Sequence, residues 1–337
     1  MRARLLEHSD ERTARTSTIQ ILYPSYAHSV VAMSEKRSSK IPRKYRGIVL
    51  FLRDAGVAAL LVACILIAMY AFTGKWPPLV VVESNSMMHG EENTSHIGAI
   101  DTGDLVLVKK VDSVGDIETY LDGFISGHRT YGDFGDVVIY KVNGQDTRTP
   151  IIHRAMVYLE VNPDGESYTV EALRDIATDK WASTNPLDTW DNLTSALTIF
   201  HVGYNDIQVT IDIAHMGSPF SSGYITKGDH NSQIDQFYGS SPVQLSWIVG
   251  KARGEIPWFG LLKLWTTDTL GSPAPSNSVR NLWISVILVV VCPILIDIAM
   301  TFKEKREIKA NKEALREAHK DSEDSEQPEK DGGRGLS

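Results

Sequence analysis

A strongly bent, mostly antiparallel β domain carried between two membrane-spanning helices is the fold class predicted by this sequence of 337 residues. Three observations carry that expectation. Two apolar stretches, residues 55–72 and 282–300, are each near the length of about 18–20 residues needed to cross a bilayer. Between them, short alternating apolar runs are bounded by Gly, Asp and Asn, the pattern of half-buried strands. Nothing in that interval keeps a helical apolar period for long.

Residues 1–54 form a basic tail, with Arg2, Lys36, Arg43, Lys44 and Arg46 among its cations. Met33 opens a more usual basic lead-in, MSEKRSSKIPRKYRG, and is an alternative start. The first span, residues 55–72, reads AGVAALLVACILIAMYAF without a charge. It lies too far into the chain, with no small-residue cleavage site, for a removable signal peptide, so an uncleaved anchor is expected. The second span, residues 282–300, contains Pro293 and carries Asp297 near one end, where a carboxylate can reach the interface. Lys303, Lys305, Arg306 and Lys309 follow it. Basic flanks on the outer ends of both spans place both termini in the cytoplasm and residues 73–281 outside, in a two-pass cell-membrane protein. Residues 301–337 are expected to begin as a short exposed helix and to end without structure.

The outer region, residues 73–281, holds the strand signals Leu105-Val106-Leu107-Val108, Val137-Val138-Ile139-Tyr140 and Gln208-Val209-Thr210-Ile211-Asp212-Ile213. Gly103-Asp104 and Gly135-Asp136 each open such a run, glycine supplying the turn and aspartate bonding its backbone. Residues 158–222, with Trp181 and Trp190, read as an insertion forming a small subdomain. From Lys75 to Arg280 the chain has 26 acids against 14 bases, a solvated acidic surface that argues against a nucleic-acid partner. Cys64 and Cys292 both fall in the spans as small apolar side chains, so the outer region has neither disulfide nor thiolate metal site. Two glycosylation sequons, Asn93-Thr94-Ser95 and Asn192-Leu193-Thr194, lie in it. Trp76, Trp258, Phe259 and Trp265 flank the spans, where aromatic rings seat a domain at the interface.

Serine at its ordinary pKa needs a neighbouring base to act as a nucleophile. Ser86 lies about 14 residues beyond the first span, after the strand-like Leu79-Val80-Val81-Val82. His153, closing Thr149-Pro150-Ile151-Ile152 beside Arg154, is the leading base. Spacing alone does not select it over His89, His96, His128, His201, His215 or His230. Asp229 and Asp235 are both candidates for the acid that would fix the imidazole tautomer.

In these motifs the chain resembles the type I signal peptidases of the archaeal and endoplasmic-reticulum kind. The boxes are Ser84-Asn85-Ser86-Met87; Asp101-Thr102-Gly103-Asp104-Leu105-Val106-Leu107-Val108; Gly135-Asp136-Val137-Val138-Ile139-Tyr140, continuing to Pro150-Ile151-Ile152-His153-Arg154; Thr226-Lys227-Gly228-Asp229-His230-Asn231 with Asp235; and Gly250 to Gly260. They occur in family order over about 180 residues. The resemblance implies a signal-peptidase-like catalytic sheet in which Ser86 is the nucleophile, His153 the general base and Asp235 the orienting acid. Asp229 would support the same loop, and the Ser86 amide with the Ser84 hydroxyl would form the oxyanion hole. It implies no cofactor and no metal. Its substrates would be secretory preproteins with signal peptides, met at the lipid bilayer, with the protein-export channel as a further partner. Asn85, His89 and His230 stand where the family commonly has Gly, Pro and Asn. Without that proline the chain after the nucleophile is expected to be freer, with residues 89–100 an insertion beside the site. An inactive envelope protein of the same fold, binding or structural, is the alternative.

Overall fold

A computed structural model describes residues 43–91, 93–217, 219–236 and 240–325. The basic tail to residue 42, with Met33, and the expected unstructured end, residues 326–337, lie outside the described residues.

Among the described residues, two helices are long and apolar enough to cross a membrane. Helix α1 runs Arg43–Thr73 and contains the first apolar stretch. It extends further toward the N-terminus than the apolar run because Arg, Lys and Leu continue a helix without penalty. It stops where Gly74 takes φ +63°, with the Gly74 N–H on Tyr70 O at 2.8 Å. The second long helix, Ser276–Ser325, likewise exceeds residues 282–300 at both ends and carries Pro293 in its interior. The short helix expected after residue 300 is therefore a continuation of the span. Cys64 and Cys292 are free and exposed on these helices.

The outer region is mainly antiparallel β. Its principal sheet has the order β1 (Leu79–Val81), β2 (Leu105–Lys109), β12 (Ile248–Ile256), β5 (Val137–Tyr140), β6 (Ile151–Val161) and β11 (Gly223–Lys227), with β7 (Tyr168–Thr169) added to β6. All four residues of β5 are buried, because both faces of the sheet are covered. Val137 and Ile139 enter a core with Met87, Ile100 and Val106, while Val138 and Tyr140 enter a second with Ala155 and Tyr224. Register shifts interrupt the pairing of β12 with β2 and with β5, and of β11 with β6. Such bulges sharpen twist. The resulting curl matters: three strands lie between β1 and β6 in the order, yet Ser86, shortly after β1, touches His153 of β6.

Two strands, β3 (Arg129–Thr130) and β4 (Asp133–Phe134), form a small hairpin after helix α2 (Tyr120–Ser126). The insertion builds its own three-stranded sheet from β8 (Trp181–Ser183), β9 (Leu197–Val202) and β10 (Ile207–Ile211). Leu173, Leu197, Ile199 and Ile211 from this region share a core with Tyr120, Met156 and Leu159. The insertion starts later than residue 158, since Tyr158 to Val161 still belong to β6. The short helices α2 and α3 (Leu261–Thr267) were not signalled by periodicity, as seven residues are two turns only. We number the long C-terminal helix α4. Trp76 and Trp265 are exposed, whereas Trp258 and Phe259 pack against Leu261, Leu264 and Leu282. Asn93 and Asn192 of the two sequons are exposed.

Candidate active site

Ser86 sits in a turn directly after the sheet's edge strand. The Met88 N–H closes the turn onto Asn85 O at 3.1 Å. Met87 and Met88 are both buried, so the methionine pair anchors the turn in the core while the serine stays at its surface. From the opposite side, the His230 N–H donates to Ser86 O at 2.9 Å. Asn85 accepts from the Ser272 hydroxyl at 3.3 Å, and the Gly271 and Ser272 N–H groups donate to Glu83 O at 2.9 and 3.1 Å. The segment leading into α4 thus braces the serine turn.

His153 is the third residue of β6 and is buried. Its Nε2 lies 2.8 Å from Ser86 Oγ, and its Nδ1 lies 2.5 Å from Asp235 Oδ2. With Nδ1–H given to the carboxylate, the Nε2 lone pair faces the serine hydroxyl, the arrangement general-base catalysis needs. Asp235 is itself held. The Tyr140 O–H donates to its Oδ2 at 2.8 Å, and Thr226 Oγ1 donates to the same oxygen at 2.7 Å. Burial and then the nearby Asp235 charge push the Tyr140 phenol pKa well up, so it remains a donor. Gly228 has no room for a side chain, because a Cβ there would stand 2.6 Å from Ser86 O and 2.9 Å from His153 Nε2.

Ser84 Oγ lies 3.2 Å from Ser86 Oγ. The Ser86 amide makes no hydrogen bond to any of the described residues. A hydroxyl and a backbone N–H are thus both beside the serine oxygen, where an oxyanion would need donors. An open groove leads to this point, walled by Val81, Glu83 and Ser84 on one side and by Pro150, Ile151 and Ile152 on the other. Among the described residues β1 pairs only with β2, and β11 pairs with β6 only from Arg154 onward, so one edge of β1 and one edge of Ile151 to His153 have no strand partner.

The two candidate aspartates separate cleanly. Successive strand residues point to opposite faces, so Arg154 leaves the sheet away from His153. It meets Asp229 through two bonds, Nε to Oδ1 at 2.8 Å and Nη2 to Oδ2 at 2.6 Å. Arg154 Nη1 also donates to the carbonyls of Thr130, Phe134 and Gly135. Both partners of the pair are buried. Burial opposes charge on Asp229, but the Arg154 guanidinium and the His89 contact outweigh it and hold the carboxyl far below the usual range. Asp229 is therefore a structural anchor for the loop and not a partner of the His153 ring. The Nζ of buried Lys227 donates to Gly228 O at 2.9 Å and Asp229 O at 3.2 Å. Burial pushes its pKa down.

The expectation of a freer chain after Ser86 is corrected. His89 Nε2 lies 2.8 Å from Asp229 Oδ2, and the His89 ring stacks on Tyr204 with centroids 4.4 Å apart. Further on, Ser95 exchanges backbone bonds with the Asn277 amide, and the Trp258 Nε1–H donates to Ser95 Oγ at 3.0 Å. Side-chain contacts replace the restraint a proline ring would have supplied.

The other histidines stand elsewhere. The rings of His128, His201 and His215 lie on Asp136, Asp206 and Asp212, while the His96 N–H meets Asp101. Tyr140, Thr226, Lys227 and Tyr204 escaped the sequence reading. The first three lie in motifs already quoted, but nothing in a motif says which strand faces which. Among the described residues, no group of three His, Cys, Asp or Glu side chains is disposed to hold a metal. Neither a protein-family model nor a curated protein sequence matches this chain.

Proposed function

We propose that this chain is a membrane-anchored serine endopeptidase of the signal peptidase type, with its catalytic domain outside the cytoplasm and both termini inside. The observation that carries the reading is the relay Ser86 Oγ, His153 Nε2, His153 Nδ1, Asp235 Oδ2, with separations of 2.8 and 2.5 Å, at the end of a groove with unpaired strand edges. His153 takes the Ser86 proton as the oxygen attacks a peptide carbonyl, then gives it to the leaving amine. Asp235 keeps the tautomer and stabilises the imidazolium. The Ser86 amide and Ser84 hydroxyl stabilise the oxyanion, each worth about 3 kcal/mol in sites of this type. No metal or organic group is required by this chemistry.

The groove and the spans support the substrate class that the family resemblance implies. A peptide added as a strand between the two edges is bound by its backbone, and shallow pockets select its side chains. Twelve residues separate the end of α1 at Thr73 from Ser86, which keeps the serine near the bilayer. Secretory preproteins present an extended segment next to an apolar stretch in that bilayer, at the export channel or after leaving it. Cleavage of a model preprotein by the detergent-solubilised full chain tests the reading, run beside Ser86→Ala and His153→Ala. Cleavage after a small residue, lost in both variants, supports it. A folded wild type that cleaves no preprotein, with lipid restored, rejects it in favour of a non-catalytic envelope protein.

A further inference from the structure

The tip of the insertion reaches the serine turn, and one side chain makes the contact. Residues 203–206 connect β9 to β10 in a tight turn, with φ +72° at Gly203, φ +52° at Asp206 and the Asp206 N–H on Gly203 O. Two attachments fix this tip in place. The Gly203 N–H donates to the Tyr120 hydroxyl at 3.0 Å. A Cβ on Gly203 would come within 3.2 Å of Asp133 Oδ2, so the tip abuts the β3–β4 hairpin. Tyr204 projects from this braced turn.

The Tyr204 hydroxyl donates to the carbonyl of Met88, two residues after Ser86, at 3.3 Å. The same oxygen lies 3.2 Å from Nδ1 of His230, whose own N–H holds Ser86 O. One hydroxyl can donate to the carbonyl while accepting from the imidazole N–H. Meanwhile the Tyr204 ring lies nearly parallel, at 22°, on the ring of His89. His89 is boxed in, since a Cβ on Gly132 would approach it to 3.0 Å and its Nε2 is committed to Asp229. Tyr204 therefore touches the chain on both sides of the nucleophile, at residues 88–89 and at residue 230.

We infer that Tyr204 is a positioning residue for Ser86: through it the insertion holds the serine turn in register with His153. The inference rests on the peptidase reading above. It assigns the insertion a part in the reaction, although none of its described residues lines the groove or hydrogen-bonds the catalytic relay. Tyr204 is itself partly exposed, so its loss opens no cavity in the core.

Preprotein cleavage by the full chain in detergent separates the ring from the hydroxyl. Tyr204→Phe keeps the stack on His89 and loses both hydroxyl contacts, and is expected to lower kcat about tenfold. Tyr204→Ala loses both and is expected to lower kcat about thirtyfold or more. KM should stay within about twofold of wild type, because the groove is untouched. Circular-dichroism melts must show both variants fully folded at the assay temperature, which excludes a lowered active fraction. Wild-type kcat in both variants overturns the inference and leaves the peptidase reading intact. A rise in KM at unchanged kcat also overturns it. An inert wild type removes the peptidase reading itself, and the inference with it.

Discussion

His153 Nδ1 lies 2.5 Å from Asp235 Oδ2, while Asp229, six residues earlier, is turned onto Arg154. Two acids in one loop thus serve adjacent residues of β6 that face opposite ways. Their substitutions should fail differently. Asp235→Asn should reduce preprotein cleavage roughly a thousandfold or more, by losing the tautomer control on His153, with little change in melting temperature. Asp229→Asn should leave the Arg154 charge buried and uncompensated, at about 3–5 kcal/mol of stability. Kinetics and melts on both variants decide; a stable but inactive Asp229→Asn would contradict the assignment.

Tyr140→Phe removes one of three donors from Asp235 Oδ2 and leaves the ring packed with Val138 and Ala155. A hydrogen bond to a charged acceptor is worth about 1.5–3 kcal/mol. The variant should therefore show kcat lowered roughly tenfold or more at unchanged KM. Thr226, still 2.7 Å from the same oxygen, limits the loss. An unaltered kcat would mean that Thr226 and His153 hold the carboxylate alone.

Gly228→Ala should cost more activity than its size suggests. The added methyl meets the Ser86 carbonyl at 2.6 Å and His153 Nε2 at 2.9 Å, both backbone or relay atoms that cannot swing aside. A displacement approaching 1 Å at reacting atoms is worth about a hundredfold in rate. Steady-state cleavage at wild-type rate would show that the loop yields without disturbing the relay.

The β character of the outer region was legible in short apolar runs such as Val137-Val138-Ile139-Tyr140, and the two long helices in long apolar runs, the first without a charge and the second with Asp297 alone. The joint proximity of Ser86, His153 and Asp235 was legible only through whole boxes in order, because no local pattern carries a contact between residues 67 and 82 positions apart. Which acid faces His153 stayed open on residue patterns alone, since strand phase in β6 decides it. The role of His89 was misread for a related reason. A missing proline is visible in a sequence, but the compensating Asp229 and Tyr204 arrive from 140 and 115 positions away. Helix ends were overrun wherever charged flanks are themselves good helix formers.

Asp104 sets the direction of the domain's response to pH. It is buried beside Asp101, with Glu255 nearby, and burial pushes its pKa up to about 7 against the support of the Trp258 and Asp101 N–H groups. Burial also raises Asp101 and Glu255. A carboxyl whose folded pKa lies above its unfolded value binds more protons in the native state. Its stabilising contribution is full below about pH 4 and disappears as pH rises through about 7. Asp229 and Asp136 are shifted down and so stay charged throughout that window, adding no slope above pH 5. The melting temperature should therefore fall from pH 5 to pH 8, with Asp104 alone worth on the order of 4 kcal/mol across its full titration. Glu255→Gln keeps an acceptor for the Gly98 N–H, now 2.5 Å from Oε1, and removes one of the three like charges. That variant should melt higher than wild type at pH 8 and show a shallower slope. A wild-type melting temperature that is flat or rising between pH 5 and 8 would mean the three carboxyls ionise without penalty, and that water or a cation reaches them.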